Sequence, residues 1–378
     1  MMSMPNGQLK FESEIESKSW VSLGDKDIAA FVAPLLAWYR ANKRDLPWRW
    51  DKDAYHIWVS EIMLQQTRVE AVIPYYQRFM ERCPDIASLA VCKEEELLKL
   101  WEGLGYYSRV KNMKKAAQII CKDYQGQFPK ELEKILKLPG IGAYTAGAIA
   151  SIAFEQATAA VDGNVLRVIT RLTQDSRDIM DTKFRKEVTT ALERIYPKQG
   201  RGDFTQSLME LGAVVCVPNG APKCKECPIS FLCGAYQNQT QMQYPVKKKK
   251  AARKIQEKTV LVLQYKDKIA LHKRGEEGIL SGMWELPNID GYKTSEELCQ
   301  WLMNHGIAVR DIKKPQNTKN EVKHIFTHVE WHMQYWIVSC ESIAEENNFT
   351  WVTQEQIKTQ IALPTAFRKV YSIGRMHL

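Results

Sequence analysis

The sequence predicts a multidomain protein in which an all-α domain is followed by a smaller α+β domain. Three observations predict this fold class. From Asp25 to about Gly234, apolar residues recur at helical spacing with no convincing strand among them. Gln237 to Met242 is polar and the residues after it are basic, which is typical of a linker. From Thr259 onward, apolar residues take the spacing of strands.

These changes divide the 378 residues into four predicted segments. They are a flexible N-terminal tail over 1–25, a helical domain over 26–235, a basic linker over 236–257 and an α+β domain over 258–378. A chain of this length is expected to hold two or three domains.

The helical domain opens with an apolar stripe from Asp27 to Tyr39, in which Pro34 either kinks the helix or marks a late start. Short loops containing Pro or Gly then separate further predicted helices. These span roughly 54–66, 69–81, 94–103, 108–124, 130–137, 143–154, 164–173, 183–194 and 203–216.

The α+β domain opens with a predicted hairpin, Val260–Tyr265 and Lys268–His272. An amphipathic helix is expected over Ser295–His305. Two more strands are expected over Val322–Val329 and Trp331–Ser339.

Charge and composition set broad limits on function. Hydrophobic residues make up 45% and charged residues 26%, which excludes wholesale disorder, and no apolar run is long enough to span a membrane. The formal net charge is +9, but seven Lys and Arg and one Glu within 247–258 supply most of it. The chain is therefore not uniformly basic, and contacts to nucleic acid are expected from individually placed groups such as Arg109 and Lys111.

Four of the nine cysteines are clustered, at Cys216, Cys224, Cys227 and Cys233. An odd cysteine count in a large chain without an export signal argues against a disulfide framework. Four thiolates at this spacing suit either zinc or a [4Fe–4S] cluster, and spacing alone leaves both open. Four unligated thiols are the remaining alternative.

Leu138–Gly147 places Pro139, Gly140 and Gly142 between two predicted helices. Pro139 ends the first helix, and the two glycines allow a tight turn with positive φ. The N–H groups that open the second helix could bind a DNA phosphate. An ordinary turn between helices is the alternative.

Two acidic residues are candidates for chemistry. Glu61 lies in a strongly apolar helix, where burial would raise its pKa and suit it to general-acid work. Asp162 precedes the apolar run from Val165 and could place a negative charge in a cleft. The alternatives are a solvent-facing Glu61 and an Asp162 that only caps a helix.

Together these residues resemble the iron–sulfur helix-hairpin-helix DNA glycosylases, and among them the adenine DNA glycosylases of the MutY type. The resemblance covers nearly the whole chain after residue 25. Its matching segments are Leu46–Arg49, Ser60–Thr67, Gly103–Arg109, Leu138–Gly147, Val161–Val168, Phe204–Gln206 and the four cysteines. The resemblance implies a [4Fe–4S] cluster in a loop over 216–233. One departure is that seven residues separate Cys216 from Cys224, where the family usually has six.

The resemblance also implies roles for single residues. Glu61 would protonate the purine ring, and Asp162 would stabilise the oxocarbenium-like sugar or attack it covalently. Tyr144 and Asn164 would support this pair. The remaining matches are Trp48, Arg49, Leu64 and Gln206 around an adenine flipped out of the duplex, Gln66 and Tyr106 in the opened base stack, and Gly140 and Gly142 on DNA.

The α+β domain resembles the MutT-like, or Nudix-like, domain of the same family. Residues 294–305 lack the glutamate-rich motif that Nudix hydrolases use to hold magnesium, so recognition without hydrolysis is expected. Phe326, Thr327 and His328 match the family's Phe-Ser-His element, which senses 8-oxoguanine.

The resemblance therefore implies a monofunctional adenine DNA glycosylase of base excision repair. It would hydrolyse adenine mispaired with 8-oxoguanine or guanine and leave an abasic site. Its partner would be double-stranded DNA with A:8-oxoG or A:G mispairs, and no membrane partner is expected. We expect a monomer in the bacterial cytoplasm, associated with the nucleoid.

Two rivals remain open at this stage. One is a bifunctional glycosylase-lyase acting on oxidised pyrimidines, which would need a Lys where this chain has Tyr144. The other is a non-catalytic DNA-binding protein stapled by a metal cluster.

Overall fold

The structure, a computed structural model, describes residues 29–248, 252–314, 321–343 and 348–375, so the predicted tail lies outside the described residues. The chain divides into two compact units. The first contains the chain up to Glu61, Pro129–Lys137 and the chain from Ile141 to the linker. The second contains Ile62–Phe128, Leu138–Gly140 and the chain after the linker. The second unit therefore combines helices of the helical domain with the whole α+β domain.

Twelve helices lie in the described part of the chain up to the linker. They are α1 (Val32–Asn42), α2 (Ala54–Leu64), α3 (Val69–Arg82), α4 (Ile86–Val91), α5 (Glu94–Leu100), α6 (Ser108–Asp123), α7 (Leu132–Leu136), α8 (Ala143–Ile152), α9 (Gly163–Thr173), α10 (Thr182–Arg194), α11 (Arg201–Val214) and α12 (Gly234–Gln237). Short 3₁₀ turns occur at Pro47–Arg49, Cys224–Glu226 and Ser230–Leu232. Every stretch predicted from helical spacing is a helix, which confirms the all-α class of this domain.

The structure decides the role of Pro34 in α1 and adds a helix, α4, that was not predicted. Pro34 lies in the first turn of α1, where its missing N–H costs no intrahelical bond, so it marks a late start and not a kink. Helix α4 was not predicted because six residues are too few to show a helical period. Its N-cap is Asp85, whose side chain accepts a hydrogen bond from Ser88 N at 2.7 Å in a capping box.

An apolar core packs four helices of the first unit together. Leu35 of α1, Leu166 of α9, Val188 of α10 and Leu208 of α11 are all buried in it. These four helices are amphipathic or apolar enough to bury one face each, which is the main source of helix stability in proteins. Helices α9 and α11 are thereby fixed against each other, and both carry candidate site residues.

The C-terminal domain is an eight-stranded mixed sheet among the described residues, with three helices. The strands are β1 (Lys254–Tyr265), β2 (Lys268–Lys273), β3 (Trp284–Glu285), β4 (Asn288–Asp290), β5 (Val309–Lys313), β6 (Glu321–Ile325), β7 (Val329–Cys340) and β8 (Thr350–Thr353). The helices are α13 (Ser295–Asn304), α14 (Gln354–Thr359) and α15 (Thr365–Arg375). The main path runs β3-β2-β1-β7-β5, β1 and β7 pair in parallel, and the other pairs are antiparallel.

Apolar cores cover both faces of this sheet. Val260 and Val262 of β1 face one core, to which α14 and α15 contribute, whereas Leu261 and Leu263 face the other, to which α13 contributes. A strand buried on both faces has a continuous apolar run, because successive side chains alternate between the faces.

Several strands differ from prediction. β1 begins at Lys254, before the apolar run, because polar residues at its start pair with β7 from Val329 onward. The predicted strand over Val322–Val329 is wrong at its end, since β6 stops at Ile325 and 326–328 form a turn. Strands β3, β4, β5 and β8 and helices α14 and α15 were not predicted, because most are too short to show a period.

Candidate active site

Glu61 lies near the end of α2 and is buried, with 6% of its surface exposed. The Tyr144 hydroxyl donates a hydrogen bond of 2.6 Å to Glu61 Oε2. Burial raises the pKa of Glu61 to about 7, although the Tyr144 bond opposes this shift. The solvent-facing alternative is therefore wrong, and the carboxyl is poised to hold or release a proton near neutral pH.

Asp162 caps the N-terminus of α9 and also faces a second donor. Its Oδ1 accepts from Val165 N at 2.7 Å, and its Oδ2 accepts from Asn164 Nδ2 at 2.8 Å. Burial raises the pKa of Asp162, while these hydrogen bonds oppose the rise, and its charge in turn raises the pKa of Glu61. Asp162 therefore both caps α9 and acts electrostatically on Glu61.

Arg167 fixes the orientation of Asn164. Its Nη2 donates to Asn164 Oδ1 at 2.9 Å, so the Asn164 amide N–H is directed at Asp162. Arg167 also donates to Gly212 O at 2.7 Å and to Cys216 O at 2.8 Å. One guanidinium therefore connects the Asp162 pair to the start of the cysteine loop.

Gly212 permits this close approach of α11. A Cβ at this position would lie 2.8 Å from Asn164 Cβ, closer than real Cβ atoms come. Any side chain there would displace either α11 or Asn164.

Trp48, Arg49 and Gln206 lie in the same unit. Trp48 is buried, and Gln206 of α11 is half-buried. Arg49 Nη2 donates to Glu210 Oε2 at 2.8 Å, and its charge lowers the pKa of Glu61. Arg49 is therefore close enough to Glu61 to act on it electrostatically.

In the second unit, Gln66 and Tyr106 both have left-handed backbones, with φ of 61° and 48°. Non-glycine residues seldom adopt this conformation, and where they do it often serves function. Both side chains are exposed, and Leu64 is half-exposed. The backbone thus presents both side chains that the family resemblance assigns to the opened base stack.

Arg109 has a structural role in the folded chain, and its contact with DNA stays a prediction. Its Nη1 donates to Ile62 O and Gln65 O at 2.6 and 2.9 Å. Its Nη2 donates to Leu104 O and Gly105 O at 3.0 and 3.1 Å. The guanidinium is used to join the loop after α2 to the loop before Tyr106. Lys111 Nζ, the other expected contact, lies 3.0 Å from Glu94 Oε1.

In the turn between helices at Leu138–Gly147, only one of the two glycines has the predicted positive φ. Gly140 has φ of 78°, and a Cβ there would lie 2.8 Å from Asn112 Cβ. Gly142 has φ of −95° and is the N-cap of α8, with no side-chain cap. The expectation of positive φ at Gly142 is therefore wrong, although its N-cap position leaves the first N–H groups of α8 without a capping side chain.

Cys216, Cys224, Cys227 and Cys233 line one cavity, together with Arg171. Arg171 Nη1 lies 3.3 Å from Cys216 Sγ, and Cys233 Sγ donates to Arg171 O at 3.4 Å. Gly220, between Cys216 and Cys224, has φ of 76°. Among the described residues, no three His, Cys, Asp or Glu side chains form a group suited to one metal ion.

Phe326, Thr327 and His328 form the turn between β6 and β7. The Phe326 ring packs edge-on against Trp331 with centroids 4.7 Å apart, whereas Thr327 and His328 are exposed. Thr327 Oγ1 lies 3.1 Å from Tyr106 Oη, within the second unit. The structure therefore joins two predicted site residues that are 221 positions apart.

Two family models match the chain. Residues 59–198 match the HhH-GPD superfamily base excision DNA repair protein, and residues 259–372 match the NUDIX domain. The adenine DNA glycosylase of Buchnera aphidicola from Schizaphis graminum is 36% identical over 80% of this chain and 86% of its own. That of Rattus norvegicus is 32% identical over 93% of this chain and 79% of its own.

The chain belongs to the adenine DNA glycosylase family. The enzyme is thus a DNA glycosylase of the base excision repair class, which confirms the predicted family and enzyme class. Its fold is similar to that of an endonuclease III solved in a non-covalent complex with DNA. The TM-score is 0.50 at 23% identity, over 58% of this chain and 99% of that chain. No helix in the described part of the glycosylase is suited to crossing a membrane.

Sequence reasoning missed Glu210 in the glycosylase. This glutamate of α11 is 1% exposed and accepts from Arg44 Nε at 2.7 Å and from Arg49 Nη2 at 2.8 Å. The two guanidinium groups hold its pKa near 2, against the effect of burial. The available signal was a lone acidic residue in the apolar stretch after Phe204, four residues from the predicted Gln206.

Proposed function

We propose that the enzyme is a monofunctional glycosylase that excises adenine mispaired with 8-oxoguanine or guanine in double-stranded DNA. The observation that carries the proposal is the buried Glu61, hydrogen-bonded to Tyr144 and electrostatically coupled to Asp162. Two carboxyl groups with different environments are what acid-assisted cleavage of a glycosidic bond requires. The names of the relatives support adenine as the base removed.

Glu61 would act as the general acid. A carboxyl with a pKa near 7 is protonated in about half of the molecules at neutral pH, and it can give that proton to a basic ring nitrogen brought close to it. Protonation lets the base leave as neutral adenine while the electron pair of the C1′–N9 bond moves onto the base. Tyr144 keeps Glu61 oriented through its 2.6 Å hydrogen bond.

Asp162 would stabilise the positive charge that develops on the sugar. Its two oxygens accept hydrogen bonds from Val165 N and Asn164 Nδ2, which hold the carboxylate in place. A preorganised negative charge in a partly buried site interacts strongly with an oxocarbenium ion. Water then adds to C1′, which leaves an abasic site.

Tyr144 supports the monofunctional part of the proposal. A glycosylase-lyase uses an amine to form a Schiff base with the sugar. The Tyr144 hydroxyl cannot form that adduct, and it is already engaged by Glu61.

The C-terminal domain would sense the base opposite adenine through Thr327 and His328. Both side chains are exposed at a turn, and Thr327 lies at Tyr106, a residue proposed to enter the base stack. In α13, Glu297 accepts a hydrogen bond from Thr294 N at 2.9 Å and so completes a helix cap. This use of the glutamate supports recognition, as opposed to magnesium-dependent hydrolysis, for the domain.

A duplex with one adenine opposite 8-oxoguanine tests the proposal. We expect strand cleavage at that adenine only after alkali treatment, because the enzyme leaves an abasic site and an intact backbone. An A:T duplex is the control and should stay uncut. Cleavage without alkali, or strong borohydride trapping on DNA with damaged pyrimidines, would establish the lyase rival instead. Binding without adenine release would establish the non-catalytic rival.

We also propose that Cys216, Cys224, Cys227 and Cys233 hold a [4Fe–4S] cluster. All four line one cavity, and a [4Fe–4S] cluster takes four soft thiolate ligands of this kind. Burial raises the pKa of Cys227 to about 12 and that of Cys233 to about 11, so binding of the cluster must displace thiol protons. When bound, the cluster would cross-link the loop to α9 through Arg171.

Reconstitution with iron and sulfide tests this part. We expect a broad visible absorption band and about four iron atoms per chain in the intact protein. Cys233→Ser should lose both and should unfold at a lower temperature. Cys299→Ser, which removes an exposed free thiol elsewhere in the chain, should retain both. One bound zinc per chain, with no uptake of sulfide, would contradict the cluster.

A further inference from the structure

A partly buried ion cluster joins α5 to the C-terminal helices within the second unit. It consists of Lys99, Glu102 and Arg368, and we call it the Lys99 clamp. Lys99 Nζ donates to Glu102 Oε2 at 2.7 Å, and Glu102 Oε1 is paired with Arg368 Nη2. The side chains of Lys99 and Glu102 are only 18% and 8% exposed. No role assigned above uses these three residues.

The clamp binds backbone as well as side chains. Lys99 Nζ donates to Ile357 O at 2.8 Å and to Ile361 O at 3.0 Å, so its three N–H bonds are all used. Leu363 N donates to Glu102 Oε1 at 2.8 Å. The clamp therefore forms hydrogen bonds to backbone groups at the end of α14 and in the segment between α14 and α15.

Glu102 also lies on the loop that leads to Tyr106. Its carbonyl accepts a hydrogen bond from Tyr75 Oη at 3.0 Å, and Arg109 binds the carbonyls of Leu104 and Gly105 in the same loop. The loop is thus fixed from both sides. At its end, Tyr106 Oη is 3.1 Å from Thr327 Oγ1 of the C-terminal domain.

A buried ion pair is weak evidence for stability, because removing two charges from water costs about as much as their attraction returns. Such pairs can instead specify one arrangement of the elements that they join. Here the elements are the Tyr106 loop and the domain that carries Thr327. The clamp is a further point of attachment between them, beside the Tyr106–Thr327 contact.

We infer that Lys99, Glu102 and Arg368 are positioning residues that hold the C-terminal domain on the Tyr106 loop and thereby set the preference for 8-oxoguanine over guanine. This inference rests on the proposed function. The clamp touches neither of the proposed catalytic carboxyl groups, so it is expected to act on the choice of opposite base and not on bond cleavage.

The test compares single-turnover adenine release from A:8-oxoG and A:G duplexes. For Lys99→Met and for Glu102→Gln, we expect the ratio of the two rates to fall on the order of tenfold, because a buried partner is left unsatisfied. The A:G rate should be nearly unchanged. In both variants, amide hydrogen exchange over 354–375 should accelerate. Lys99→Arg, which keeps the positive charge, should have a ratio between those of Lys99→Met and the wild type.

Glu131 and Lys134 provide a matched control pair. They have the same spacing in sequence and a 3.0 Å contact, but their side chains are 61% and 48% exposed. Glu131→Gln and Lys134→Met should leave the ratio unchanged. Arg368→Met removes the most exposed member of the clamp and serves as a milder variant if the others fold poorly.

An unchanged ratio in folded Lys99→Met and Glu102→Gln would overturn the inference, as would an equal loss of both rates. Either result would leave the proposed function standing, because the wild-type enzyme would still prefer A:8-oxoG. A wild-type enzyme with no such preference would instead contradict the proposed specificity itself.

Discussion

Glu61→Gln should abolish adenine release while leaving duplex binding largely intact. Glutamine keeps the shape of the side chain and can still accept the Tyr144 hydrogen bond, but it cannot donate a proton of suitable acidity to the base. General-acid catalysis contributes about 10²–10⁴-fold to rate, so we expect a loss in that range. Single-turnover release from an A:8-oxoG duplex measures it.

The pH dependence provides a second measure of the same group. Because the pKa of Glu61 is raised to about 7, the wild-type rate should fall as pH rises through 7 and the carboxyl loses its proton. Glu193→Gln is a suitable control, since this half-buried glutamate of the first unit accepts a hydrogen bond from Ala159 N and has no proposed part in the chemistry. A Glu61→Gln enzyme with a near-normal rate would exclude Glu61 as the acid.

The same substitution should stabilise the fold at high pH. A folded-state pKa above the ordinary 4.5 means that the stability contribution of Glu61 is complete below pH 4.5 and is lost as pH rises through 7. Glutamine mimics the protonated form and avoids this loss. We expect Glu61→Gln to raise the free energy of unfolding by up to about 3 kcal/mol at pH 8 and by much less at pH 5, measured by urea denaturation.

Asp162→Asn should reduce adenine release on the order of a hundredfold to a thousandfold, the usual effect of removing one preorganised electrostatic group. Asparagine is as good a helix N-cap as aspartate, so the hydrogen bond from Val165 N can persist and α9 should remain intact. What is lost is the negative charge that we propose stabilises the sugar. Duplex affinity should be unchanged or tighter, because a negative charge near DNA has been removed.

Asp181→Asn is the matched control for Asp162→Asn. Asp181 is the N-cap of α10 and accepts a hydrogen bond from Lys183 N at 2.8 Å, so the same chemical change is made at the same kind of position. Its adenine release should match that of the wild type. Equal losses in both variants would show that the effect comes from helix capping, and retained activity in Asp162→Asn would remove Asp162 from the mechanism.

Much of the fold could be predicted from local pattern. The helices up to α11, apart from α4, and the central strands show periods that a single sequence displays. The short elements could not be predicted in this way. Strand β8 and helix α14 exist because they pair with or pack on the central sheet, and that partner is not visible in a window of six residues.

The candidate site was predicted unevenly for a similar reason. Glu61, Tyr144, Asp162 and Asn164 belong to segments with a family pattern, and the structure brings them into hydrogen-bonded pairs. Arg109 belongs to such a segment too, and its guanidinium binds four backbone carbonyls, a role that the motif did not indicate. A motif identifies a residue type and a position, whereas the donors and acceptors around it come from distant parts of the chain.

Glu61 and Glu210 show that the pKa of a carboxyl depends on tertiary structure and not on local sequence alone. The sequence by itself determined that each is a carboxyl in an apolar helix, and it determined those helices. Both are buried, yet the pKa of Glu61 is raised to about 7 and that of Glu210 is lowered to about 2. The difference arises because Tyr144, a neutral donor, faces Glu61, whereas Arg44 and Arg49 surround Glu210. Only the folded chain brings these partners together, and so only tertiary structure sets which carboxyl carries a proton.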